Sequence, residues 1–182
     1  ALGFDEHCLW QMYDQNGVKR SRYYKPHFRI NGEIEEESIT DRFGPDVLAD
    51  FMIDFMKRKK DEPFLIYYPA LLVHTPYIRV PGAQNANALP DSKQKNGPNC
   101  FPEMVEYLDK NVGRLVNAVD ELGLKNNTII LFCADNGTHG PVKSSWGENR
   151  TRIRGGKMTM TISNLVFNTN HNLQNIYLIM QW

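Results

Sequence analysis

Thr128-Ile129-Ile130-Leu131-Phe132-Cys133-Ala134, followed at once by Asp135-Asn136-Gly137, decides the reading of this chain. An unbroken apolar run of this length, rich in β-branched residues, predicts a strand buried on both faces. Two oxygen-bearing side chains follow its C-terminal end, where open α/β sheets bind their ligands. Gly137 lets the backbone turn there without a Cβ clash. Alone, the triplet has two readings. It is an Asn-Gly turn closing an ordinary strand, or it supplies ligands to a hard cation such as Ca2+ or Mg2+, since its donors are oxygens only.

Upstream of the strand, Met104, Leu108, Val112, Leu115, Val119 and Leu122 recur at helical spacing. Pro102 opens that helix and Gly123 closes it. Further back, Phe64-Leu65-Ile66-Tyr67-Tyr68-Pro69 predicts another buried strand. Before it, Gly44-Pro45 starts a helix with Val47, Leu48, Phe51, Met52 and Phe55 on one face. Lys57-Arg58-Lys59-Lys60 ends that helix with cations at the negative pole of its dipole, a helix terminus and not an anion site. Helix, strand, long loop, helix, strand is the order of an α/β fold, with a mostly parallel sheet flanked by helices.

The remaining segments are less regular. From Gly3 to Asp41 the chain is aromatic and broken, with a hairpin signal at Asn31-Gly32. Pro81 to Pro102 is too polar and interrupted for regular structure. Residues 158–182 contain no Asp, Glu, Lys or Arg and carry Asn at 164, 168, 170, 172 and 175. The expected division is therefore one domain over 1–157 and a divergent uncharged tail over 158–182.

The 182 residues balance 21 Lys and Arg against 21 Asp and Glu, which gives no electrostatic reason to expect nucleic acid as a partner. No apolar run reaches the ~20 residues of a membrane-spanning helix. Cys8, Cys100 and Cys133 are odd in number and far apart, so they form neither a disulfide framework nor a Cys-x-x-Cys site. Three Asn-x-Thr sequons begin at Asn126, Asn136 and Asn149.

Two further residues stand out. His74, in Val73-His74-Thr75-Pro76, follows a strand; it is either a structural histidine or a donor to an anionic substrate or leaving oxygen. Lys157 follows Gly155-Gly156, where bare backbone lets a ligand approach an ammonium; the same pattern also suits a plain surface loop. No Ser or Thr is paired with an identifiable base.

Taken together and in order, Phe64 to Pro76, Met104 to Leu115, Leu124 to Ile130, Asp135-Asn136-Gly137 and Arg154-Gly155-Gly156-Lys157 resemble the sulfatase family of the alkaline-phosphatase-like superfamily. The resemblance implies hydrolysis of a sulfate ester, of a small molecule or a glycan, to an alcohol and sulfate. It implies that Asp135 and Asn136 are metal ligands, for Ca2+ before Mg2+. His74 and Lys157 would be catalytic and substrate-binding residues that hold the sulfate group, with His74 also protonating the leaving alcohol. Location outside the cytoplasm follows from the same likeness.

The departures are specific. The family nucleophile is a formylglycine made from Cys or Ser in a Cys/Ser-x-Pro/Ala-x-Arg context, and Cys100-Phe101-Pro102-Glu103-Met104 copies only its first half. The family's paired Asp ligands and its Lys-x-x-His segment are absent as well, and all three elements are expected upstream of Ala1. Three readings stand open: a sulfatase fragment inactive alone, a non-catalytic relative that binds an anion or a partner, and a phosphoester or phosphonate hydrolase of the same superfamily.

Overall fold

The computed structural model describes residues 3–35, 41–82 and 97–133, together with four short strands at 145–146, 151–152, 165–168 and 176–181. Among these the chain is of the α/β kind, with two long helices and a four-stranded sheet. Helix α1 (Gly44–Lys59) carries Pro45 and Asp46 in its first turn and Lys57, Arg58 and Lys59 in its last. Helix α2 (Phe101–Glu121) carries Pro102 and Glu103 in its first turn. Gly123 stops it at φ +74°, a left-handed conformation that costs glycine little. There the N–H of Leu124 bonds the Val119 carbonyl at 2.9 Å.

Before the helices, β1 (Cys8–Trp10), β2 (Phe28–Ile30) and β3 (Glu33–Glu35) form an antiparallel sheet in that order. Asn31 and Gly32 make the turn between β2 and β3 at φ +50° and +97°, the two left-handed positions a tight hairpin requires. Strand β1 has no signal in the sequence, since Cys8-Leu9-Trp10 is too short to alternate; its pairing with β2 creates it.

The main sheet contains β4 (Phe64–Pro69), β5 (Thr128–Cys133), β8 (Leu165–Asn168) and β9 (Ile176–Gln181), in the order β4-β9-β5-β8. Strand β9 runs parallel to both β4 and β5, and β8 runs antiparallel to β5, so the sheet is mixed. Phe64 and Thr128 both stand opposite Ile176, and Pro69 and Cys133 both stand opposite Gln181. Strands β4 and β5 therefore begin and end level with one another. A separate two-stranded ribbon pairs β6 (Ser145–Trp146) with β7 (Thr151–Arg152).

Helices α1 and α2 cover one face of this sheet. Val47, Leu48, Met52 and Met56 from α1 and Leu115, Ala118 and Val119 from α2 enclose Phe64, Ile66 and Tyr68. Each Val, Leu, Ile, Phe or Met among them taken fully from water contributes roughly 1.5–3 kcal/mol. The expectation that both strands are buried on two faces fails here. β4 alternates, with Leu65 and Tyr67 each 46% exposed, and in β5 only Thr128 is fully buried. Among the described residues both long helices pack on the same side, and on the opposite face of β4 Phe4 stacks on Tyr67, 6.5 Å between ring centres.

A polar network joins the helices beside this core. Asp46 accepts the Tyr107 hydroxyl at 2.7 Å, and Arg114 reaches Asp50 and, at 3.6 Å, Asp46. Arg42 also binds Asp50, so one carboxylate sits between two guanidiniums. Burial, and then the bond to Asp46, push the Tyr107 phenol well above its ordinary range, which keeps it a proton donor.

The N-terminal segment is tied to α1 at both ends of the helix. Arg58 donates to both oxygens of Glu6, at 2.8 and 2.7 Å. At the other end the Gly44 N–H bonds the Tyr23 carbonyl at 2.7 Å. A Cβ on Gly44 would lie 2.1 Å from the Arg22 carbonyl oxygen, so only glycine allows that approach. No described helix is long and apolar enough to cross a membrane.

Two outcomes follow from these joints. Gly44→Ala is expected to destabilise the fold by about 1–3 kcal/mol, as overpacking against rigid backbone does; an unchanged midpoint in urea would contradict the close approach. The Arg58 bonds hold the Glu6 carboxyl below its ordinary value of 4.5. A depressed carboxyl stabilises above its unfolded-state pKa, and that stability is lost as pH falls through the folded value. The stability gap between wild type and Glu6→Gln should therefore be present at pH 6–7 and close as pH falls below about 4.5. A gap that does not change with pH would contradict the pairing.

Candidate functional site

The level ends of β4 and β5 set the site. Pro69 and Cys133 face the same residue of the strand between them, so both strands deliver their following loops to one edge of the sheet. With one strand intervening, the two exits stand roughly 10 Å apart, twice the ordinary inter-strand spacing. In parallel sheets this carboxyl edge is where ligands bind. His74 comes five residues after Pro69, and Asp135 two residues after Cys133.

The loop after β4 is held by what it buries. Leu72, Tyr77, Ile78 and Val80 pack with Met104, Tyr107 and Leu108 of α2, and Tyr77 meets Phe101 edge-on with ring centres 5.6 Å apart. The Ile78 N–H points to the Met104 sulfur at 3.4 Å, and Arg79 pairs with Glu103. Between these buried residues His74 is exposed. A hydrophobic pair on either side of one exposed histidine fixes the loop without covering the ring.

His74 is fixed by its backbone as well. Its N–H bonds the Leu71 carbonyl at 3.1 Å, and its own carbonyl accepts the Tyr23 hydroxyl. The same hydroxyl lies 2.9 Å from the Leu71 oxygen. The imidazole Nδ1 stands 2.7 Å from the Thr75 carbonyl oxygen. A carbonyl only accepts, so Nδ1 is the donor in that contact.

Of the four residues singled out in the sequence, the structure places His74. Asp135, Asn136 and Lys157 lie outside the described residues. Among the described residues no group of three or more His, Cys, Asp or Glu side chains gathers to hold a metal. Cys100 is buried, and burial pushes the Cys8 thiol up to about 12, far from a thiolate at neutral pH.

Sequence reasoning passed over Tyr23 and Tyr24, which grip this loop from the N-terminal segment. Tyr24 donates to the Arg79 carbonyl at 2.9 Å, on the far arm from His74. Both lie in a stretch with no periodicity to mark them. The signal available was two adjacent tyrosines immediately before a Lys-Pro turn.

Comparison with known proteins agrees with the order of motifs. A family model described as Sulfatase matches residues 2–164. Steryl-sulfatase of Mus musculus is 33% identical over 114 residues, covering 60% of this chain and 17% of that protein. Arylsulfatase A of Homo sapiens is 32% identical over 117 residues, or 64% of this chain and 20% of the relative. N-acetylgalactosamine-6-O-sulfatase of Bacteroides thetaiotaomicron is 33% identical over 92 residues, or 50% of this chain and 16% of the relative. The matched stretch thus spans about a sixth to a fifth of the curated relatives' length. With the family model matched across most of its residues, the chain belongs to the sulfatase family.

Proposed function

We propose that this chain supplies part of the active site of a sulfuric ester hydrolase, with the sulfate group held at the carboxyl edge of β4 and β5. The observation that supports this reading most is the common edge: the loop with His74 and the segment with Asp135-Asn136-Gly137 leave strands that end level. Around that edge the alkaline-phosphatase-like arrangement, with a mostly parallel sheet, is part of the same reading.

In this reading Asp135 and Asn136 hold a divalent cation. A carboxylate and an amide carbonyl are hard oxygen donors and suit Ca2+, or Mg2+, over a soft-ligand metal. Two such residues are fewer than the six to eight oxygens Ca2+ takes, so they form part of a larger ligand set. Such a cation supplies positive charge beside the transferring sulfate group.

The chain's own residues do the rest of what it contributes. His74 directs Nε2 toward the sulfate, donating to its oxygens when the ring is protonated and passing that proton to the departing alcohol oxygen. The Nδ1 contact with the Thr75 carbonyl holds the ring orientation that this requires. Lys157 adds an ammonium on the Gly155-Gly156 loop, where no side chain obstructs an anion. The nucleophile is not among these residues, because the 182 residues contain no Cys/Ser-x-Pro/Ala-x-Arg segment from which a formylglycine is made. The substrate is a sulfate ester of a small molecule or a glycan, acted on outside the cytoplasm as in the family at large.

The isolated chain with Ca2+ is expected to show no turnover of an aryl sulfate. In a longer reading frame that contains this chain and a Cys/Ser-x-Pro/Ala-x-Arg segment, turnover is expected, and His74→Ala or Asp135→Ala should lower kcat/KM by about 10²-fold or more. Turnover by the isolated chain that Asp135→Ala abolishes would contradict the division of labour. A longer protein indifferent to both substitutions would contradict the assignment of the residues.

A further inference from the structure

The N-terminal segment reaches the His74 loop through two adjacent phenols, and neither has a part in the reading above. Tyr23 is 1% exposed and stacks on Phe43 with ring centres 6.0 Å apart. Its hydroxyl is shared between the carbonyls of Leu71 and His74. The Leu71 carbonyl also accepts the His74 N–H at 3.1 Å. The backbone of His74 is thus held at its acceptor by the phenol directly and at its donor through the Leu71 carbonyl, which the same phenol bonds.

We propose that Tyr23 is a positioning residue for His74, fixing through the Leu71 and His74 carbonyls where the imidazole stands at the sheet edge. Tyr24 does the same for the far arm through the Arg79 carbonyl. Burial raises both phenols, Tyr24 to about 12 and Tyr23 further, so each remains a donor throughout the physiological range.

The position of Tyr23 is itself set by α1. Its carbonyl accepts the Gly44 N–H at 2.7 Å, and Phe43 both stacks on its ring and meets Tyr107 of α2 edge-on at 5.1 Å. The phenol is therefore braced against both helices, and those helices carry the core under β4. A residue 51 positions before His74 in sequence determines where His74 sits, because the two share a rigid support. The inference rests on the reading of His74 as a sulfate contact only for its functional meaning; the geometry of the anchor is independent of it.

Tyr23→Phe keeps the ring, its burial and its stacking, and removes only the hydroxyl that the two carbonyls share. Two NMR readouts on the 182-residue chain test it. In Tyr23→Phe, exchange of the His74 amide is expected to rise severalfold, because the Leu71 carbonyl that accepts it loses the phenol that holds it in place. Amides of α2 and β4 should keep their wild-type rates, and the His74 imidazole resonance should shift or broaden. Tyr24→Phe should leave the His74 amide and ring at their wild-type values, because its bond lies on the other arm.

An unchanged His74 amide and ring in Tyr23→Phe would overturn the proposal. So would a rise shared equally by α2, which would make Tyr23 a global stability residue. A titration with inorganic sulfate separates this inference from the functional reading. A wild-type His74 resonance that ignores sulfate counts against His74 as a sulfate contact, while the exchange contrast still decides the anchor. A sulfate response that weakens severalfold in Tyr23→Phe supports both.

Discussion

The constraint on which the rest depends is the shared register of β4 and β5. Because Pro69 and Cys133 both face Gln181, neither strand overhangs the other, and the loops that follow them start from one edge. A shift of one residue in either strand would turn its inward side chains outward, because strand side chains alternate. Phe64, Ile66 and Tyr68 must lie under α1 and α2, so the hydrophobic face of β4 enforces the register that places the His74 loop. Core packing and site geometry are here one requirement.

The two helices transmit that requirement to the loops. Leu115 and Met56, both fully buried, press α2 and α1 onto the sheet, and the Asp46, Asp50, Arg42, Arg114 and Tyr107 network locks them to each other. The N-terminal half of α2 then serves a second purpose. Met104, Tyr107 and Leu108 form the floor on which Leu72, Tyr77, Ile78 and Val80 rest. Above the same floor, Phe43 and Tyr23 bring the N-terminal segment across to the His74 carbonyl. The histidine is exposed, yet both its backbone N–H and its carbonyl are hydrogen-bonded.

Much of this was legible in the sequence where physical period and punctuation agree. The helical spacing of Met104, Leu108, Leu115 and Val119, with Pro102 before and Gly123 after, defines α2 to within a residue. Gly44-Pro45 and the Lys57-Arg58-Lys59 cluster bound α1 equally well, and Asn31-Gly32 makes the hairpin it signals. Apolar strands were harder to read. An apolar run tells that a strand exists, but Leu65 and Tyr67 show that its apolar side chains need not all be covered. Strand β1 and the grip of Tyr23 and Tyr24 were not legible at all, because they arise from contacts between residues about twenty and more than forty-five positions apart. Of the site, the sequence supplied His74, Asp135, Asn136 and Lys157 by resemblance. The structure adds the edge that the first shares with the strand leading to the second and third.

The central claim, that the His74 loop and the Asp135-Asn136 pair serve one site, is open to a direct measurement. Mn2+ is a paramagnetic cation that takes the same oxygen ligands as Ca2+. Added to the 182-residue chain, it should broaden the His74 imidazole resonance well beyond that of His7 in the N-terminal segment, and Asp135→Ala should abolish the difference. Broadening no greater at His74 than at His7, or broadening that persists in Asp135→Ala, would contradict the account.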